Sequence, residues 1–189
     1  MKLYIVHGYT ANKNAHWFPW LVSQCEKHNI RAYSLEMPNS HAPHFEQWLR
    51  TLEQEIILDH DTILVGHSLG CISLLQYLQA NKNVTSVVGV VFVSGFCQSV
   101  TGLSELDEFC VKALNFDFLK QQILYKAVVS ARDDTIVPWQ YSEHLAEKLG
   151  ADFYLFNSGG HFLDREGFTH LPVAFELVLK IQRAILEKE

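Results

Sequence analysis

The sequence predicts an α/β fold: a doubly wound parallel sheet with helices on both faces. Three observations predict it. Short β-branched or apolar runs alternate with stretches whose apolar residues recur every three or four positions. The strongest of those runs are uninterrupted, as suits parallel strands buried on both faces. The chain has 189 residues, 48% hydrophobic and 19% charged, which is enough for one well-buried core and argues against disorder. A single domain over residues 1–189 is expected.

In chain order, residues 3–6 form the first strand, ended by His7-Gly8. Trp17, Trp20, Leu21, Gln24 and Cys25 then mark one helix face, followed by a weaker strand at 31–35. A second helix carries Phe45, Trp48, Leu49, Leu52 and Ile56, and strand 62–65 follows it. Leu74, Leu75 and Leu78 mark the next helix, before strand 88–93. Strand 127–130 precedes a helix with Tyr141, Leu145 and Leu149. A weaker strand at 153–156 leads to a last helix with Ala174, Leu177, Val178, Ile181 and Ile185. The three- and four-residue spacings turn each helix's apolar face toward the sheet. Residues 96–124 break the rhythm; a small helical lid and a connecting helix with a long lead-in both fit their length.

The bulk properties narrow the function. A formal charge of -6 provides no basic stripe for nucleic acid. No run reaches the ~18 apolar residues of a membrane span, and the N-terminal run is too short for a secretory leader. Cys25, Cys71, Cys97 and Cys110 have neither zinc nor disulfide-framework spacing, so reduced thiols in a cytoplasmic protein are expected. No His/Asp/Glu set has metal spacing, and no metal or cofactor is expected.

The run Gly66-His67-Ser68-Leu69-Gly70 lies between a strand and a helix. That is the setting in which G-x-S-x-G forms a tight turn exposing the serine hydroxyl. The flanking glycines let strand and helix approach, and the N–H of Leu69 lies at the positive helix end, where an oxyanion is favoured. Ser68 is therefore the candidate nucleophile. A second oxyanion N–H is expected from Tyr9, because Gly8 lets the backbone turn inward.

A serine nucleophile needs a base, and His161 in Ser158-Gly159-Gly160-His161-Phe162 follows the last strand. Nine other histidines compete; His7 and His67 are expected to brace loops, and His16 is expected at the surface, on or near a helix or exposed turn. An orienting carboxylate comes from Asp133 or Asp134, which follow strand 127–130. Only one can meet the histidine, and the other is expected to cap the next helix or face solvent. With either acid the chain order is Ser, Asp, His.

The whole chain resembles the small α/β-hydrolase-fold serine hydrolases related to bacterial YdeN and retinoblastoma-binding protein 9, most closely the YdeN type. The matching stretches include His7-Gly8-Tyr9, His16-Trp17-Phe18-Pro19-Trp20-Leu21 and Met37-Pro38-Asn39. They continue through the Ser68 motif, Val93-Ser94-Gly95-Phe96, Asp133-Asp134-Thr135-Ile136-Val137-Pro138 and Gly159-Gly160-His161-Phe162. The resemblance implies a reduced α/β-hydrolase fold of about six parallel strands in the order 2-1-3-4-5-6, without the two N-terminal strands of larger members. It also implies Ser68 as nucleophile, His161 as base and Asp134, the second of the paired acids, as the triad acid. Unlike the retinoblastoma-binding relative, the stretch after His7-Gly8 is not glycine-rich.

The expected activity is hydrolysis of a carboxylic ester, or of a thioester or amide, through an acyl-enzyme. The rival is a catalytically idle scaffold that binds other proteins. Trp17, Phe96, Trp139 and Phe162, with Phe109 and Phe116, are candidates to line an apolar acyl pocket, although aromatic residues are also common core filling. The expected partner is a small-molecule ester or amide, and the expected state a monomer or weak homodimer.

Overall fold

Six strands form one parallel sheet in the computed structural model, which describes residues 1–81 and 86–187. They are β1 (Lys2–Val6), β2 (Arg31–Leu35), β3 (Thr62–His67), β4 (Val87–Val93), β5 (Ile123–Ala131) and β6 (Asp152–Phe156). Their order is β2-β1-β3-β4-β5-β6 with every pairing parallel, as the family resemblance implies. β3 and β4 are buried along their whole length, which is why they read as unbroken apolar runs. The outermost strands, β2 and β6, alternate less cleanly and remain partly exposed.

Among the described residues six helices cover the sheet: α1 (Phe18–Lys27), α2 (Phe45–Glu55), α3 (Leu69–Ala80), α4 (Phe116–Gln122), α5 (Trp139–Leu149) and α6 (Pro172–Leu186). α1 and α6 pack on one face, where Leu21, Cys25, Leu177 and Val178 meet Leu3, Ile5, Ile63 and Val65. α2, α3, α4 and α5 share the other, where Trp48, Leu74, Leu119 and Leu145 meet Tyr4, Val6 and Leu64. The period-two alternation of β1 thus sends successive side chains to opposite cores. Local signals set the helix ends. Pro172 begins α6, Asn115 Oδ1 accepts the Phe118 N–H at α4, and Gly150 closes α5 at φ 66°.

Residues 96–124 hold a 3-10 segment (Ser104–Cys110), α4 and the first residues of β5. β5 starts earlier than its apolar run suggests, because Leu124 is half exposed and Lys126 interrupts the pattern. The 3-10 segment is tied down. The Phe109 ring is fully buried, edge-on to Phe45 and Trp48 at 5.7 and 5.5 Å, and such burial contributes about 2–3 kcal/mol. Gln76 Nε2 donates to Phe109 O and Lys112 O at 3.2 and 2.7 Å. Among the described residues no helix is long and apolar enough to cross a membrane.

Candidate active site

β3 ends at His67 and α3 begins at Leu69, so Ser68 alone turns the chain, at φ 54° and ψ -120°. A non-glycine residue held there stores about 1–3 kcal/mol of strain. Close packing enforces the turn. Ser68 N–H donates to Val93 O at 2.9 Å, and Ser68 O accepts from Cys71 N at 3.0 Å. A Cβ on Gly66 would sit 2.9 Å from the Cys71 backbone, and one on Gly70 would collide with the Val6 carbonyl. Strand and helix can meet this closely only with glycine at both positions.

The turn presents Ser68 to a cavity of about 440 Å³, a size suited to a small organic ligand. Gly8, Tyr9 and His161 share its wall with Ser68. The backbone at Gly8 passes so near that a Cβ there would lie 2.8 Å from Ser68 Cβ. Leu69 is buried, but its amide belongs to the first turn of α3, where N–H groups have no intrahelical acceptor. Both expected oxyanion donors are therefore neighbours of Ser68. Leu103, Leu106, Ile136 and Leu163 make part of the wall apolar; Asn12, His16, Asp164 and Arg165 make the rest polar.

The structure brings His161 and Asp134 together. Asp134 Oδ2 lies 2.7 Å from His161 Nδ1, with both residues buried. The other oxygen, Oδ1, accepts the N–H groups of Ile136 and Val137, both at 2.9 Å. The carboxylate accepts at both oxygens, so His161 donates to it from Nδ1 and Nε2 is the ring nitrogen left for another partner. Of the two alternatives expected for Asp133, the structure shows solvent exposure and not a helix cap. Its Oδ1 accepts from Gly159 N and Gly160 N at 2.8 and 2.9 Å.

Three further histidines surround the site. His7 Nδ1–H donates to Gly8 O at 2.8 Å while Nε2 accepts from Met37 N at 3.0 Å. His67 Nε2–H donates to His161 O at 2.8 Å, and the two rings lie 4.9 Å apart. Both brace loops, as expected. His16 lies in the turn just before α1, near a helix as expected, but it is half-buried and not a surface residue. It lines the cavity at φ 54°, its Nδ1 accepts from Asp164 N at 3.1 Å, and its ring lies 5.5 Å from that of His67. Its partner is 148 residues away, so no local pattern could reveal it.

Burial lowers the pKa of His7 and drives that of His67 well below the ordinary value, with the nearby His161 adding to the latter. The folded protein takes up protons on these rings at lower pH than the unfolded chain does, which begins near pH 6.5. The stability these two rings contribute is therefore fully present above that pH and is lost below it, at up to about 1.4 kcal/mol per pH unit for each until its folded-state pKa is reached. Urea unfolding at pH 7.5 and pH 5.5 should show this loss; equal stability at both would contradict it.

The aromatic pocket expectation is corrected. Trp17, Phe96, Trp139 and Phe162 are absent from the cavity wall. Trp17 is fully buried behind His67, edge-on to it and to Phe18 at 6.0 and 4.7 Å. Phe96 fills the core on the α3 side. Trp139 is half-buried, with the Arg132 guanidinium 5.2 Å over its ring. Phe162 adopts φ 56° and packs against Phe156 and Phe168 at 6.3 and 5.1 Å. Of the other candidates, Phe109 packs as described, and Phe116 lies on the same core. The four cysteines are free thiols. Burial pushes Cys25 up to about 12 and Cys97 and Cys110 up to about 11, and raises Cys71 as well. No thiolate competes with Ser68 at neutral pH.

Comparison with known proteins gives a consistent result. A family model described as serine hydrolase matches residues 3–180. The putative hydrolase YdeN of Bacillus subtilis (strain 168) is 38% identical over 178 residues, 94% of each chain. The crystal structure of that ydeN gene product superposes with a TM-score of 0.93 at 37% identity, covering 96% of this chain and 98% of the other. The serine hydrolase RBBP9 of Rattus norvegicus is 24% identical over 152 residues, 79% of this chain and 80% of the relative. Est1E from Butyrivibrio proteoclasticus shares the fold, with a TM-score of 0.73 at 14% identity over 96% of this chain and 88% of that one.

Proposed function

Because the chain belongs to the serine hydrolase family, we propose that it hydrolyses a small carboxylic ester through a Ser68–His161–Asp134 triad. His161 Nε2 takes the Ser68 proton as Oγ attacks the ester carbonyl. The Leu69 and Tyr9 N–H groups stabilise the oxyanion, each contributing about 3–4 kcal/mol at the transition state. The same imidazole then protonates the departing alcohol, and a water activated by His161 releases the acid and regenerates Ser68. The observation that carries the reading is that His161, paired with buried Asp134 at 2.7 Å, lines the same cavity as a serine held at positive φ.

The test is labelling of folded protein with a fluorophosphonate, followed by peptide mapping. An adduct on the peptide containing Ser68 is expected. Absence of label, or label confined to another residue, would leave the idle protein-binding scaffold as the better account. A panel of short p-nitrophenyl esters, long-chain esters and aminoacyl amides then sorts ester from amide cleavage.

A further inference from the structure

We propose that Asp133 and Glu166 are positioning residues for His161, gripping from two sides the loop that carries it; this rests on His161 acting as the base. Five consecutive amides span that loop, and four end on a carboxylate oxygen. Gly159 N and Gly160 N donate to Asp133 Oδ1 at 2.8 and 2.9 Å. His161 N and Leu163 N both donate to Glu166 Oε2 at 2.9 Å. The fifth, Phe162 N, donates to Gly159 O at 3.0 Å, while His161 O takes the His67 Nε2–H. The loop's N–H groups are all satisfied by charge-assisted bonds or by the loop itself.

The local sequence is built for this grip. Gly160 adopts φ 53°, and a Cβ there would come within 2.5 Å of Glu166 Oε1, so a side chain would drive the carboxylate away. An ordinary turn cap explains only the Leu163 bond. The His161 amide lies before the 3-10 turn Asp164–Glu166, and Asp133 is 26 residues from Gly159. The tandem acids act on different parts of the same residue's surroundings. Asp134 holds the imidazole, and Asp133 holds the backbone just before it. Because consecutive residues make the two holds, ring and main chain are fixed relative to one another. Proton transfer needs that: a misplacement of about 1 Å can cost 10²-fold in rate.

The experiment measures kcat and KM on a p-nitrophenyl ester for Asp133→Ala, Glu166→Ala, Asp133→Asn and Glu166→Gln. Amide exchange at Gly160 and His161 is followed by NMR. Each alanine variant should lose about 10–100-fold in kcat with KM within about threefold, and its amides should exchange faster. Asn and Gln keep an acceptor oxygen and should recover kcat to within about fivefold of wild type. Alanine variants within twofold of wild type, a loss carried by KM, or amide variants as impaired as alanine would each overturn the proposal. Should an alanine variant fail to fold, the Asn and Gln variants decide it, since impaired turnover or lost protection in them is equally fatal. A wild-type protein that neither takes label nor turns over ester ends the hydrolase reading instead, and the exchange data still report whether the carboxylates hold the loop.

Discussion

Ser68→Ala is expected to lower kcat on any ester the protein hydrolyses by about 10⁶-fold, with the melting temperature within about 2 °C of wild type. Alanine keeps the Cβ and the strained backbone of position 68, at φ 54°, so little but the hydroxyl is lost. Oxyanion donors and cavity survive, which is why a residual rate above that of water should remain. Ser68→Gly provides the control. It loses the same hydroxyl but relieves the positive-φ strain, so it should be as inactive as alanine and about 1 kcal/mol more stable. Turnover in the alanine variant above about 1% of wild type would remove Ser68 from the mechanism. A glycine variant less stable than alanine would mean the turn is not strained.

Asp134→Asn should cost about 10⁴-fold in kcat, for a reason the hydrogen bonds make explicit. Position 134 meets two N–H donors, Ile136 and Val137, at one oxygen and the His161 ring at the other. An asparagine must turn its carbonyl to those donors, so its NH2 faces His161 Nδ1. An NH2 cannot accept a proton from Nδ1, and the ring answers by carrying its proton on Nε2 instead. In the proposed mechanism that nitrogen is the one that must receive the Ser68 proton. The shape of the site survives and its proton inventory is inverted. Retention of a tenth of wild-type activity by Asp134→Asn would contradict the assignment of the acid.

What is legible in the sequence follows the physics of burial. β1, β3 and β4 lie inside the sheet and read as apolar runs; β2 and β6 lie at its edges, and β5 begins with half-exposed residues that mask its start. The neighbourhood of Ser68 can be read because glycine spacing is a local steric requirement, met within five residues. Its surroundings cannot. His16 reaches Asp164 across the chain, and nothing near position 16 announces it. Trp17 and Phe162 show the opposite failure, since an aromatic ring is equally at home in a pocket wall or a core, and here both rings lie in the core. Asp133 reads as the spare member of an acidic pair because the amides it holds, Gly159 and Gly160, lie on another loop.

The strand order also sets when the cavity can exist. After β3, each new strand docks on the edge left by its predecessor, β4 on β3, β5 on β4, β6 on β5. A chain emerging from the ribosome can therefore extend the sheet outward in the order it is made, always leaving one growing edge. Ser68 leaves the first of these strands and His161 the last. They are separated by 161 − 68 = 93 residues, roughly 5–20 s of synthesis at typical rates. Through that interval a nascent chain holds Ser68 without His161, so the triad proposed above is complete only when the residues after β6 have been made.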